Sequence, residues 1–225
     1  MFLIPISILA QSNFEVAESF FKSEKYDQAK LFFEKALKQN PDNLKTLEYL
    51  GDIQCNYKNW KLAVPYYERL VQLKPKQAGY FYKYGGALGM EAKESNKFKA
   101  LGMISDIENA FLTATRLDKK HIESRWALVM FYLELPAIIG GSEKKGQKYA
   151  DELMKISLVD GFLSKGHIDE YFKRYPAAEK NYLKAIDIGK SKTTYQKLAD
   201  LYKNKMNQPE KAKQILNTYN EKSKS

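Results

Sequence analysis

The stretch LGDIQCNYKNWKLAVPYYERLVQLKP, running from Leu50 to Pro75, decides how the rest of the chain is read. Within it Ala63, Tyr67 and Leu70 lie at helical spacing, and a proline closes the run. The same order stands upstream. Ala29, Phe33 and Ala36 precede those three residues by 34 positions each, and Pro41 precedes Pro75 by 34. A solvated helix face has no reason to keep four positions in step, whereas a buried one does, because each position meets the same kind of neighbour in every unit. The chain therefore reads as repeated pairs of helices.

Working outward, residues 12–40 form the first pair, with Val16, Ala17, Phe20 and Phe21 on one apolar stripe and Ala29, Phe32, Phe33 and Ala36 on the other. The polar join from Ser23 to Asp27 is short, which makes the two helices antiparallel. Asn40, Pro41 and Asp42 stop the second helix, since the residue before a proline disfavours the helical region and proline opens the next helix well. The second pair repeats the plan with Leu47, Leu50, Gly51 and Ile53, and Trp60 stands three residues before Ala63 as Tyr26 does before Ala29.

The third unit carries Phe81, Tyr84, Gly85 and Leu88, then Phe111 and Ala114, but its end at Lys119 comes 44 residues after Pro75. The ten extra residues are expected to lengthen both helices, with Ser95 and Asn96 between them. Gly85, Gly86 and Gly89 each cost roughly 1 kcal/mol relative to alanine inside a helix, which implies close packing or a groove there. A fourth unit has Trp126, Val129, Met130 and Leu133, then the loop 135–142. Gly140, Gly141 and Ser142 lack the spacing and the preceding strand of a phosphate loop, so Ser142 is expected to cap the next helix. The fifth unit shows Gly166, Tyr175, Ala178, Tyr182 and Ala185; the sixth, with Leu198, Ala199, Tyr202, Ala212 and Leu216, is polar enough to close a stack. Residues 220–225 are expected to be a disordered tail.

These residues resemble the tetratricopeptide repeat family and its 34-residue W-x2-L-G-x2-Y…A-x3-F…P pattern over residues 12–219, most closely in the first, second and fifth units. The resemblance, to bacterial members, implies an all-α protein: one right-handed α-solenoid of about six helix-turn-helix repeats. It also implies a non-enzymatic protein–protein interaction scaffold whose first helices line a concave groove, with a role in envelope assembly. Carried over by position, the groove residues are Phe14 and Glu18; Lys45, Glu48, Asp52 and Cys55; Tyr82 and Gly86; Ala127, Phe131 and Glu134; Leu163, His167 and Glu170; and Gln196, Asp200 and Lys203. That set leans acidic and aromatic, so the expected partner is a peptide or protein segment with apolar or basic side chains. One subfamily clamps a C-terminal carboxylate with groove lysines and asparagines; here those places hold Phe14, Glu18, Glu48 and Asp52, which disfavours acidic chaperone tails.

The net charge of +10 invites a nucleic-acid reading, yet of 37 basic residues only Arg69, Arg116, Arg125 and Arg174 are arginine. Bidentate recognition of phosphate and base edges prefers arginine, so no nucleic-acid partner is expected and the lysines read as a solubilising face. The alternative is a basic membrane-surface or RNA-binding helical repeat protein, whose affinity would fall steeply with salt. Weak contact with anionic surfaces fits either reading.

One cysteine, Cys55, and two histidines, His121 and His167, cannot build a disulfide framework or a zinc cluster, and no metal or cofactor is expected. His167 has no serine or cysteine beside it at a matching groove position, and Glu48 with Asp52 sits in an open groove without a pocket, so no enzyme is expected. The start, MFLIPISILA, is apolar for ten residues, too short to span a membrane. It resembles the core of a signal peptide cleaved between Ala10 and Gln11, without the usual basic leader. Residues 1–11 are therefore expected to be a signal peptide, truncated at its start, and the protein to be periplasmic or secreted. The alternative is an apolar cap on the first helix of a cytoplasmic protein.

Overall fold

A computed structural model describes residues 6–223, with side chains from Asn13 onward; residues 1–5, 224 and 225 lie outside the described residues. Twelve α-helices follow one another along the described chain: α1 (Ile6–Lys22), α2 (Tyr26–Gln39), α3 (Leu44–Asn56), α4 (Trp60–Leu73), α5 (Ala78–Glu94), α6 (Lys97–Leu117), α7 (Ile122–Glu134), α8 (Glu143–Ile156), α9 (Leu158–Tyr171), α10 (Tyr175–Gly189), α11 (Lys192–Asn204) and α12 (Pro209–Lys222). They form six consecutive helix pairs, and no strand occurs among the described residues. Two compact units can be distinguished, one ending at Asp118 and one beginning at Lys119, each holding three pairs. Of the expected signal peptide, residues 1–5 fall outside the described residues; from Ile6 the backbone belongs to α1. The stretch read as a tail contributes its first residues to α12, which runs to Lys222.

Several helices begin where a side chain takes up a free backbone N–H. Asn43 accepts from the Thr46 N–H and hydroxyl at the start of α3, Asn96 caps α6, and Ser142, as expected, caps α8. Ser191 and Thr194 cap α11 reciprocally. The first helices of three pairs end in the same way without glycine. Glu24, Lys58 and Lys173 take left-handed backbone conformations, with φ of 57°, 58° and 59°. The following amides of Lys25, Asn59 and Arg174 reach back to the carbonyls of Phe20, Gln54 and Asp169 at 2.8–2.9 Å. This closes the helix ends and turns the chain within three residues.

In unit 1, Ala17, Ala29, Phe33, Leu50 and Ile53 form one buried cluster, and Leu47, Ala63, Tyr67, Leu70 and Ala87 the next. The small residues let the helix axes approach; the rings fill the space beside them. Burying Phe33 completely stabilises by about 2–3 kcal/mol. Val16, read as part of the apolar stripe, is instead 38% exposed. In unit 2, Ala178, Tyr182, Ala185, Leu198, Leu201 and Ala212 make the corresponding core.

The extra residues of the third pair lengthen both helices as expected, to 17 residues in α5 and 21 in α6, with Ser95 and Asn96 at the turn. The glycines of α5 differ in purpose. A Cβ on Gly85 would meet the Phe111 ring at 2.9 Å, so this glycine lets α5 and α6 close together. A Cβ on Gly86 would meet nothing within 4 Å. Gly86→Ala should therefore raise stability by about 0.5–1 kcal/mol through helix propensity and a less flexible unfolded chain, as read by urea denaturation. A loss of stability would mean that the space above Gly86 is filled.

Candidate peptide-binding faces

In unit 1 the positions expected to face a groove lie on α1, α3 and α5, and side chains bridge from each first helix to the next. Phe14 is half-buried, its ring 5.7 Å from Phe33 and 6.1 Å from Tyr49. The Tyr49 hydroxyl donates to Glu18 Oε1 at 2.8 Å. This bond and that from Lys22 hold the Glu18 carboxyl below its usual range, while burial and Glu18 push the Tyr49 phenol up to about 12. Lys45 is exposed, and Tyr82 is half-buried with its ring 6.3 Å from Phe111.

The same backward reach recurs one repeat later with a different chemistry. Lys83, 34 residues after Tyr49, places its ammonium 2.7 and 2.8 Å from the two Asp52 oxygens and 2.8 Å from Glu48 Oε1. Asp52 also accepts from the Tyr67 hydroxyl at 2.6 Å. Burial opposes the charge on Lys83, but its bonds to Asp52 and Glu48 outweigh that and raise its pKa. The acidic pair legible in the sequence is thus closed by a lysine of the next first helix, and the face is near charge balance rather than acidic. Sequence reasoning missed Lys83 because it considered each repeat's charges alone; the interval of 31 residues shared by Tyr49 with Glu18 and Lys83 with Asp52 was the available signal.

Cys55 lies half-buried, its sulfur 3.5 Å from the Tyr67 hydroxyl, and burial pushes its thiol up, away from the reactive thiolate. Burial, reinforced by Asp52, likewise raises the Tyr67 phenol far above its ordinary value, so this hydroxyl serves as a hydrogen-bond donor.

In unit 2 the expected positions lie on α7, α9 and α11. The His167 ring is half-buried, 6.5 Å from the Trp126 ring, and Trp126 donates to Asp160 at 2.9 Å. Glu170 accepts from the Tyr182 hydroxyl at 2.8 Å, and Asp200 accepts from Gln196 at 2.9 Å. Phe131 is half-buried with its ring 5.3 Å from Tyr132, and Glu134 is exposed at the end of α7. Leu163 is a correction: it is buried in the core, since it sits on the side of α9 that meets α10 and α11.

Burial lowers the His167 pKa first of all; Glu170 and Glu134 oppose this, and Lys197 and Lys205 add to it. A histidine whose folded pKa lies below its unfolded value near 6.5 takes up its proton more readily when unfolded, so its contribution to stability falls as pH falls through that window. The melting temperature of unit 2 should drop on acidification from about pH 7.5 to about pH 5.5, and His167→Gln should remove that part of the slope. An unchanged slope in the variant would show that His167 is not the group responsible.

Among the described residues no three His, Cys, Asp or Glu side chains come together as a metal site, and no helix is long and apolar enough to cross a membrane.

Paired helices of about 14 residues, small residues at the crossings and aromatic fillers define an all-α helical repeat with the fold of tetratricopeptide repeat proteins. A tetratricopeptide repeat profile matches residues 10–43. The chain is similar in structure to TTC0263, a thermophilic TPR protein of Thermus thermophilus, at 17% identity, covering 85% of this chain and 98% of that one with a TM-score of 0.66. It is similar to YrrB, described as a TPR protein with an unusual peptide-binding site, at 17% identity, 81% and 87% coverage and a TM-score of 0.56. It is also similar to PilW, a type IV pilus biogenesis factor, at 15% identity, 93% and 90% coverage and a TM-score of 0.64. At these identities the likeness establishes the fold. No match was found among curated protein sequences.

Proposed function

We propose that this chain is a non-catalytic scaffold that holds a peptide or a segment of a partner protein against its first-helix faces, and that it serves envelope assembly after export. The observation that carries the reading is the bridging of consecutive first helices, Tyr49 to Glu18 and Lys83 to Asp52, which aligns Phe14, Glu48 and Tyr82 as one row of half-buried side chains at intervals of 34 residues. An extended segment laid along such a row meets one anchor per repeat, so affinity accumulates over a long surface. Two structural relatives support the reading, YrrB by its peptide-binding site and PilW by its part in pilus biogenesis. Because Lys83 already occupies Glu48 and Asp52, apolar side chains are the favoured anchors, and a partner's basic side chain has to displace Lys83.

A photo-crosslinking side chain at Lys45 or Tyr82 should trap the same partner in the native host, while one at Leu31, exposed on α2, should not. Crosslinks from Leu31 alone would sink the assignment of the face. For export, mass spectrometry of the mature protein should find Gln11 at the N-terminus; an intact Met1 would rule out cleavage there.

A further inference from the structure

The long third pair presents a chemistry that the peptide-binding faces do not use. Ile107, Phe111 and Ala114 occupy the places of Ala63, Tyr67 and Leu70, which makes Ile104 the counterpart of Trp60, the first residue of α4. α6 instead begins at Lys97, so its start extends about 10 Å farther. Phe98 on this tip is 89% exposed and Leu101 is 48% exposed. A phenylalanine that open on a hairpin tip contributes nothing to the core, and its exposure opposes solubility.

The tip continues the edge made by the other turns of unit 1. The Trp60 indole donates to Glu94 Oε1 at 2.8 Å, tying the start of α4 to the end of α5, and the Tyr57 hydroxyl donates to Asp27 at 2.7 Å, tying the end of α3 to the start of α2. Leu62, beside Trp60, is 53% exposed. Charge along this edge is uneven. The two bonds come from neutral donors and leave Asp27 and Glu94 charged; with Glu91 paired to Lys99, the exposed Glu24, Asp27 and Glu94 stand against the exposed Lys25, Lys58, Lys61, Lys93 and Lys97, an excess of two positive charges.

We propose that this turn edge, led by Phe98 and Leu101, docks on an anionic lipid surface. Apolar side chains enter the boundary between headgroups and acyl chains, and lysines reach the phosphates with their stems lying along the apolar surface. A projecting tip has no walls to match the shape of a protein segment, whereas a lipid interface deforms and closes around it. The arrangement would leave the first-helix face of unit 1 available to its partner at the membrane.

The full chain tests this by co-sedimentation with vesicles of phosphatidylcholine alone and of phosphatidylcholine mixed with phosphatidylglycerol. The expected result is at least roughly tenfold stronger partitioning into the mixed vesicles, weakened by salt. Phe98→Ser with Leu101→Ser, and separately Lys58→Glu with Lys97→Glu, should each lower that partitioning by about tenfold with unchanged thermal melting. Lys192→Glu with Lys213→Glu, which changes net charge equally on exposed residues of unit 2, should leave it intact. No preference for the anionic vesicles, an equal loss in the two lysine pairs, or retention of binding by the Phe98 and Leu101 variant overturns the proposal. Binding to soluble polyglutamate without binding to vesicles does so too, and assigns the edge to an acidic protein.

Discussion

Tyr182→Ala should lower the stability of unit 2 by about 4 kcal/mol, a fall of roughly 20 °C in melting temperature for a unit of this size. The ring of Tyr182 is fully buried between α9 and α11 and rests in the hollow left by Gly166, where a Cβ would lie only 2.4 Å from Cε1. Truncation leaves a cavity that rigid helices cannot close, and it strips Glu170 of the hydroxyl at 2.8 Å. Tyr182→Phe separates the two contributions, since it keeps the ring and should cost only about 1 kcal/mol. The hollow itself can be tested: Gly166→Ala should destabilise the natural protein by about 1–3 kcal/mol yet cost far less when Tyr182 is already alanine. Equal costs in both backgrounds would refute the packing account.

Gly141→Ala should be the most damaging single-methyl addition in unit 2, at about 3 kcal/mol. A Cβ at this position would stand 1.8 Å from the backbone oxygen of Leu135 and 2.6 Å from its carbon, and backbone atoms cannot swing aside as a tyrosine ring can. The loop would have to open. Opening would pull the Gly141 amide from the Pro136 carbonyl and the Ser142 amide from that of Tyr132, and with it the serine that caps α8. Denaturant unfolding checks the magnitude. Unchanged or raised stability, as expected for Gly86→Ala, would show that the loop relaxes without cost.

Those two glycines show how much a sequence discloses. Gly166 was legible, because it occupies the same place relative to Tyr182 as Gly51 does to Tyr67, where a Cβ would lie 2.6 Å from the ring. Gly141 was not, since the loop 135–142 has no counterpart in the other pairs and its need for glycine arises from a carbonyl brought close only by the folded turn. The same distinction separates the glycines of α5. Gly85 carries the repeat's contact with Phe111, and its neighbour Gly86 carries none.

The candidate site divides along similar lines. Phe14, Glu48 and Tyr82 could be placed on one face from their spacing alone, as could Glu18 and Asp52, because a helix repeated at a fixed interval turns equivalent positions the same way. Where each side chain goes from that face was not legible. Leu163 turned into the core of unit 2, and Val16 stayed open.

By itself, the sequence determined that the chain is a run of paired helices, that the third pair is longer than the others, that Ser142 caps α8 and which residues fill the crossings. The pairs and their crossings were legible because they depend on contacts repeated at every interval, so each unit testifies for the others. Only the tertiary structure decided that Lys83 closes on Glu48 and Asp52, that the chain divides at Asp118 into two compact units, and that the third pair carries Phe98 out into solvent on a basic edge. These depend on which single side chains meet across neighbouring helices, and a periodic pattern holds no information about what happens only once.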